Sequence, residues 1–250
     1  MNEQLRLNNL RAVLVRLEET IIFSLIERAQ FRRNAIVYRR GAFPGAIGDE
    51  SLAGYLLRET ETVHAKMRRY TSPDELPFFA GLPAPVLPPL RFDENPLRPN
   101  TVNLNACLRT VYEGEIVPLI CQAGDDQQYG SAAVCDATCL QAISHRVHYG
   151  KLVAESKYLA HPEVFEPLLA RGDAVGLAGV ITNAAVEARV LARVGLKAGT
   201  YCREIGDSAV GGGLDPDSLV EVYRRWLIPL TKEVEVAYLL DTHAGSSTPP

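Results

Sequence analysis

The chain has 250 residues, 47% of them apolar and 22% charged, with a formal net charge of -4. Such values describe a globular protein able to bury a large core, and the acidic balance argues against a general nucleic-acid or anionic-membrane partner. Five cysteines without a Cys-x-x-Cys pair, no apolar run of spanning length and no basic-then-apolar start make a cytoplasmic protein with reduced thiols the expectation.

Leu7, Leu10, Leu14, Leu17, Ile21, Leu25 and Ile26 follow the three-and-four spacing of an amphipathic helix, predicted over about 5–33. Arg11 lies beside that stripe, where a long side chain either snorkels to water or projects into a polar pocket. Residues 34–48, with three glycines and a proline, read as a loop. Asp49 is the expected N-cap of a second helix running to about Tyr70. Arg68 and Arg69 close it, either as cations complementing the helix's negative end or as an anion site. Residues 71–100 carry eight prolines, too many for a helix, and form an extended connection. Phe78 and Phe79 are expected to pack it down. Helical spacing resumes at Leu104, Leu108, Val111 and Ile116, with Pro118 predicted to kink or end the helix.

A polar loop from Gly124 to Gly130 leads to Ser131, the expected cap of a long helix reaching about Leu159. Arg146 and Lys157, eleven residues apart, fall within about 20° of three full turns and so share a side. Taken alone, they are either solvated charges or a grip for a small polyanion. His145 and His148 have a possible metal spacing but no further ligands, and read as structural or surface residues; Cys135 and Cys139 read as packing. Pro162 starts a short helix that stops at Gly172, and Asp173 caps another to about Val194. The latter places Asn183 and Glu187 four apart on one face. A glycine-rich loop over 195–214 precedes a final helix from Asp215-Pro216 to about Leu240, interrupted at Pro229. Thr231 and Glu235 are again four apart. The stretch 241–250, ending Ser-Ser-Thr-Pro-Pro, is expected to be disordered. No segment alternates like a strand, so the fold class is all-α.

The chain shows no glycine-rich phosphate loop, His-Glu-x-x-His or nucleophile elbow. What remains is Arg11, Arg146 and Lys157 as cations, with Asn183, Glu187, Thr231 and Glu235 as polar partners. That set suits recognition of a small, charged, hydroxylated molecule inside a helical bundle better than covalent chemistry.

Six blocks run in order along nearly the whole chain. They are Leu10-Arg11 through Leu17-Glu-Glu-Thr-Ile-Ile-Phe23, Arg68-Arg-Tyr70 with Ser72-Pro-Asp-Glu75, Gly130-Ser131, Arg146-Val-His-Tyr-Gly-Lys-Leu-Val-Ala-Glu-Ser-Lys157, Ile181-Thr-Asn-Ala-Ala-Val-Glu187, and Ile228-Pro-Leu-Thr-Lys-Glu-Val-Glu-Val-Ala-Tyr-Leu-Leu240. In them the chain resembles the chorismate mutases of the all-helical, allosteric fungal and plant type. The resemblance implies one large helical-bundle domain over 1–240, with the Pro-rich connection 71–100 between helices. It implies conversion of chorismate to prephenate, a step toward phenylalanine and tyrosine, without cofactor or metal. Arg11 and Arg146 would clamp the two substrate carboxylates, with Thr231 assisting. Lys157 and a protonated Glu235 would donate to the breaking ether oxygen, while Asn183 and Glu187 would hold the ring hydroxyl. A homodimer is also implied, with tryptophan activating and tyrosine or phenylalanine inhibiting at an interface site matched by Arg68, Arg69, Gly130 and Ser131. Around that site Gln127 and Gln128 replace the fungal asparagines, and Val134 a threonine. Asp215-Pro216 follows the plant pattern, whereas Glu235 is fungal in type. The alternative is a non-catalytic helical binding or regulatory protein for a small dicarboxylate, against which the intact Arg11, Lys157 and Glu235 argue.

Overall fold

The computed structural model describes residues 7–89, 95–206 and 214–243, and among them every regular element is helical. Helix α1 (Leu7–Ala29) buries Leu10, Leu17, Ile21, Leu25 and Ile26, the stripe predicted from spacing. The expected loop after it contains two single helical turns, Ala35–Tyr38 and Pro44–Ile47. Helix α2 (Leu52–Lys66) is capped by Ser51, whose hydroxyl accepts from Gly54 N at 3.1 Å. Asp49, the expected cap, instead pairs with Arg40 on the surface. The helix stops before Arg68 because that residue adopts a left-handed backbone, φ 68°.

The Pro-rich connection is held down rather than free. Glu61 accepts from Phe78 N and Phe79 N at 2.9 and 3.1 Å, and Asn105 Nδ2 donates to the carbonyls of Leu76 and Pro77. Lys151 Nζ donates to Asn100 Oδ1 and to the Val102 carbonyl at 2.7 and 2.6 Å. Phe78 and Phe79 pack against the main core, as expected.

Helix α3 (Asn105–Val111) does not end at Pro118. It widens into a π-helical segment, Tyr112–Ile116, and continues as one turn, Val117–Ile120. A proline lacks an N–H and presses on the carbonyl four residues back, and the wider π turn accommodates both defects. The same device recurs at Pro229. Helix α9 (Pro216–Val222) passes through the π segment Tyr223–Leu227 into α10 (Ile228–His243), so that proline continues the helix rather than breaking it. Residues 241–243 of the expected tail are therefore helical, and 244–250 lie outside the described residues.

The long central segment divides into α4 (Tyr129–His148) and α5 (Gly150–Ala160), and its first turn starts before Ser131. Tyr149, between them, keeps helical angles (φ -59°, ψ -18°). Helices α6 (Pro162–Leu169) and α7 (Ala174–Ile181) follow, the latter capped by Asp173. The helix expected over 173–194 breaks at Thr182-Asn183 and restarts as α8 (Ala184–Gly206). Contrary to the loop expected from residue 195, α8 runs through Gly195 and Gly199, because Val194 and Ala198 are fully buried on one face and override the glycines' weak propensity. Residues 207–213 of that expected loop lie outside the described residues. Among the described residues no single helix is long and apolar enough to cross a membrane; α7 and Ala184–Arg203 of α8 reach that standard only together, bent by 60°.

Behind the apolar core sits a buried ion pair. Arg28 Nε meets Asp136 Oδ1 at 2.6 Å, Tyr38 and Tyr112 donate their hydroxyls to the same carboxylate at 2.8 Å, and Arg28 donates to three backbone carbonyls. The cluster joins α1, the Ala35–Tyr38 turn, the π segment after α3, and α4, with every polar group paired. Asp136→Ala would leave a buried guanidinium uncompensated, and a loss of about 3–5 kcal/mol is expected from denaturant unfolding. An unchanged midpoint would show that the pair bears no weight.

Candidate active site

The first halves of α1 and α8, the C-terminal end of α4, α5 and α10 surround a cavity of about 510 Å³. Arg11, Arg146, Lys157, Asn183, Glu187, Thr231 and Glu235 all line it. Seven residues chosen from sequence thus converge on one space. The break at Thr182-Asn183 matters here: Asn183 Oδ1 accepts from Val186 N at 3.1 Å, and the turn presents α8 to the cavity by its N-terminal end.

Lys157 Nζ lies 2.8 Å from Glu235 Oε2 and donates also to the Ile181 carbonyl at 2.9 Å. Burial pushes the Glu235 carboxyl above its ordinary value, while the charge and hydrogen bond of Lys157, and then Arg146 and Lys232, pull it back without cancelling the rise. Arg146 is lowered by burial. Its guanidinium reaches Thr231 Oγ1 at 3.4 Å, and that hydroxyl is anchored to the Leu227 carbonyl at 2.6 Å, in the π segment. The detour around Pro229 therefore also places Thr231.

Gly150 explains how α5 and α10 come so close. A Cβ built there would meet Thr231 Cγ2 at 3.0 Å, the Thr231 carbonyl at 3.1 Å and Glu235 Cγ at 3.3 Å. Any side chain at 150 would push against the two α10 residues that face the cavity.

Sequence reasoning missed a second ring of charge. Glu18, buried, is gripped by Arg193 through two bonds of 2.8 and 2.7 Å and by Lys197 at 3.2 Å; Lys232 pairs with Glu187 at 3.1 Å. Glu18, Arg193 and Lys232 all line the cavity. Glu18 follows Arg11 by seven residues and Leu14 by four, a helical signal that would have placed it on the cavity face.

Arg68, Arg69, Gly130 and Ser131 lie elsewhere. Arg69 binds Glu75 at 3.0 Å and Gln141 at 3.2 Å, and Arg68 donates to the Pro88 carbonyl. Gly130 and Ser131 are exposed at the start of α4, ten residues and about 15 Å along the helix from Gln141. Within one chain the two pairs do not meet. His148 is a buried structural residue, accepting from Leu104 N at 2.9 Å and pulled down to about 4 by burial. His145 pairs with Asp74 at 2.8 Å.

The family model for chorismate mutase type II matches residues 128–236. The chorismate mutase of Schizosaccharomyces pombe is 46% identical over 246 residues, covering 96% of this chain and 97% of that one. The chain belongs to the chorismate mutase family. Among solved structures, the Candida albicans chorismate mutase in complex with L-Trp superposes with a TM-score of 0.87 at 39% identity, over 94% of this chain and 91% of that one. A structure of the mutase AtCM1 with tyrosine bound in its allosteric site gives 0.85 at 40% identity, over 96% and 97%.

The chain is thus an isomerase that converts chorismate to prephenate. A pericyclic rearrangement breaks one C–O bond as it forms one C–C bond, within a single molecule. It asks the protein for a folded, held substrate and for donors where charge develops, and needs no nucleophile. The cavity supplies cations on several walls and a buried carboxyl that burial holds above its ordinary value. Gly150→Ala is expected to displace α10 and reduce kcat about tenfold to a hundredfold, because small misplacements are costly in such sites. Steady-state kinetics on the folded variant checks this; wild-type kcat would mean that the close approach is not needed.

Proposed function

We propose that the cavity binds chorismate with its carboxylates on Arg11 and Arg146, Thr231 assisting, and its ether oxygen between Lys157 and protonated Glu235. Asn183 and Glu187 hold the ring hydroxyl. The observation that carries this reading is the Lys157–Glu235 contact of 2.8 Å on the wall of the cavity. It brings two potential donors to one point, where a single oxygen gaining negative charge in the transition state lies within reach of both. In the ground state Lys157 donates to Glu235; when substrate enters, both turn to the ether oxygen.

The electrostatics fit the role. Arginines suit carboxylates because the guanidinium fork pairs with them in two bonds and keeps its charge when buried. Glu235 must carry a proton to donate, and its upward shift by burial moves it toward that state.

We further propose that two copies associate as a homodimer. In that arrangement Arg68 and Arg69 of one copy and Gly130 and Ser131 of the other would form an effector site. Tryptophan would activate through it, and tyrosine or phenylalanine would inhibit. The separation of the two pairs within one chain and the bound amino acids of the related structures support this. Residues 1–240 then act as one domain, working in the cytoplasm.

Purified protein is expected to consume chorismate and release prephenate, with Lys157→Met lowering kcat about 10²–10³-fold, as for loss of a transition-state donor. Activity of the native enzyme should fall as pH rises through the Glu235 titration, whereas Glu235→Gln, a donor at every pH, should lack that fall. An identical pH profile in the variant would refute the donor role. In light scattering and kinetics, a dimer activated by tryptophan and inhibited by tyrosine is expected; a monomer indifferent to both would remove the regulatory part and leave the catalytic part intact.

A further inference from the structure

The side of α5 and α10 away from the Lys157–Glu235 contact holds a second polar cluster that the reaction does not use. Glu155, two residues before Lys157 on α5, is buried. Its Oε2 accepts from the Tyr238 hydroxyl at 2.8 Å and from His243 Nε2 at 3.0 Å, both on α10. Arg98, in the Pro-rich connection, brings its Nε to 3.7 Å from the other carboxylate oxygen. The Tyr238 hydroxyl also accepts from Arg98 N at 3.1 Å, and the His243 ring lies 3.9 Å from that of Tyr158 on α5.

A buried carboxylate is a costly way to pack two helices, and an all-apolar contact in place of Glu155 and both of its partners would bury the same surface more favourably. Direction is what the carboxylate adds. Apolar contact is non-directional and tolerates axial sliding, whereas hydrogen bonds of 2.8 and 3.0 Å do not. Glu155 and Lys157 ride on one helix, and Tyr238 and Glu235, three residues apart, on the other. Any slip that stretches the Glu155 bonds therefore moves Lys157 relative to Glu235. Burial acts to raise Glu155, but the bonds from His243 and Tyr238 and the charges of His243 and Arg98 outweigh it, so the group sits below its ordinary value and is an anion at neutral pH.

We propose that Glu155 is a positioning residue for the reaction, fixing through Tyr238 and His243 the axial register of α5 on α10 and with it the Lys157–Glu235 geometry. This rests on the reading of Lys157 and Glu235 as donors to the ether oxygen.

The test is Glu155→Leu and Glu155→Gln, with Glu235→Gln measured alongside. Glu155→Leu leaves the buried Tyr238 hydroxyl and His243 without their acceptor, so its Tm is expected to fall by several degrees, and kinetics are read on the folded protein below that Tm. Its kcat should fall about tenfold to a hundredfold while KM changes less than about threefold, because the carboxylate-binding arginines lie on other helices. With Lys157 drawn away, Glu235 loses the charge that holds it down, so the alkaline fall in activity should move to higher pH. Glu155→Gln, which keeps an acceptor for His243, should recover most of the loss. An unmoved alkaline fall in Glu155→Leu, whether activity is unchanged or falls only with folded fraction, overturns the proposal. Should that variant fail to fold, Tyr238→Phe is read for the same displacement, and its absence is equally decisive. If Glu235→Gln itself retains the alkaline fall, the donor reading has failed rather than the register.

Discussion

The crossing of α5 on α10 at Gly150 is the contact from which the rest of the cavity takes its dimensions. No side chain separates the helices there, and a Cβ would strike the Thr231 backbone at 3.1 Å. The crossing sets how far Lys157 stands from Glu235 and how deeply Glu235 is buried. Burial in turn pushes that carboxyl above its ordinary value, against the pull of Lys157. One missing methyl thus connects packing to chemistry. The π segment before Pro229 contributes from the other side: it takes up the proline's missing donor and anchors Thr231 through the Leu227 carbonyl.

An enzyme for an intramolecular rearrangement has no covalent work to do, and the arrangement reflects that. Its cavity combines fixed cations with a buried carboxyl held above its ordinary value, and around such a buried group each hydrogen bond to developing charge counts for more than in water. Such a site depends on small distances. The fully paired Arg28–Asp136 cluster at the far end of α1 and the polar ties along the Pro-rich connection hold the helices at fixed offsets, which apolar packing alone does not specify.

Much of this was legible in the sequence, and the reasons differ by element. The α1 stripe and the Thr231/Glu235 pair follow from helical periodicity alone, whereas Asn183 keeps its place four residues before Glu187 although it stands at the break ahead of α8. Arg146 and Lys157 kept their common side because Tyr149 between the helices retains helical angles. The misses share a cause in tertiary context. Prolines at 118 and 229 and glycines at 195 and 199 are local breakers, yet burial of Val194 and Ala198 and two π turns carried the helices through. The break at Thr182-Asn183 carries no proline or glycine to mark it. Glu18 and Glu155 read as ordinary helical glutamates, since their partners, Arg193 and His243, lie 175 and 88 residues away.

The most direct test is the structure of the enzyme with a stable bicyclic ether dicarboxylate shaped like the rearrangement's transition state. Both carboxylates are expected on Arg11 and Arg146, and the ether oxygen within hydrogen-bond reach of Lys157 Nζ and Glu235. A ligand bound in the cavity with that oxygen turned away from both groups, or bound outside the cavity altogether, would contradict it.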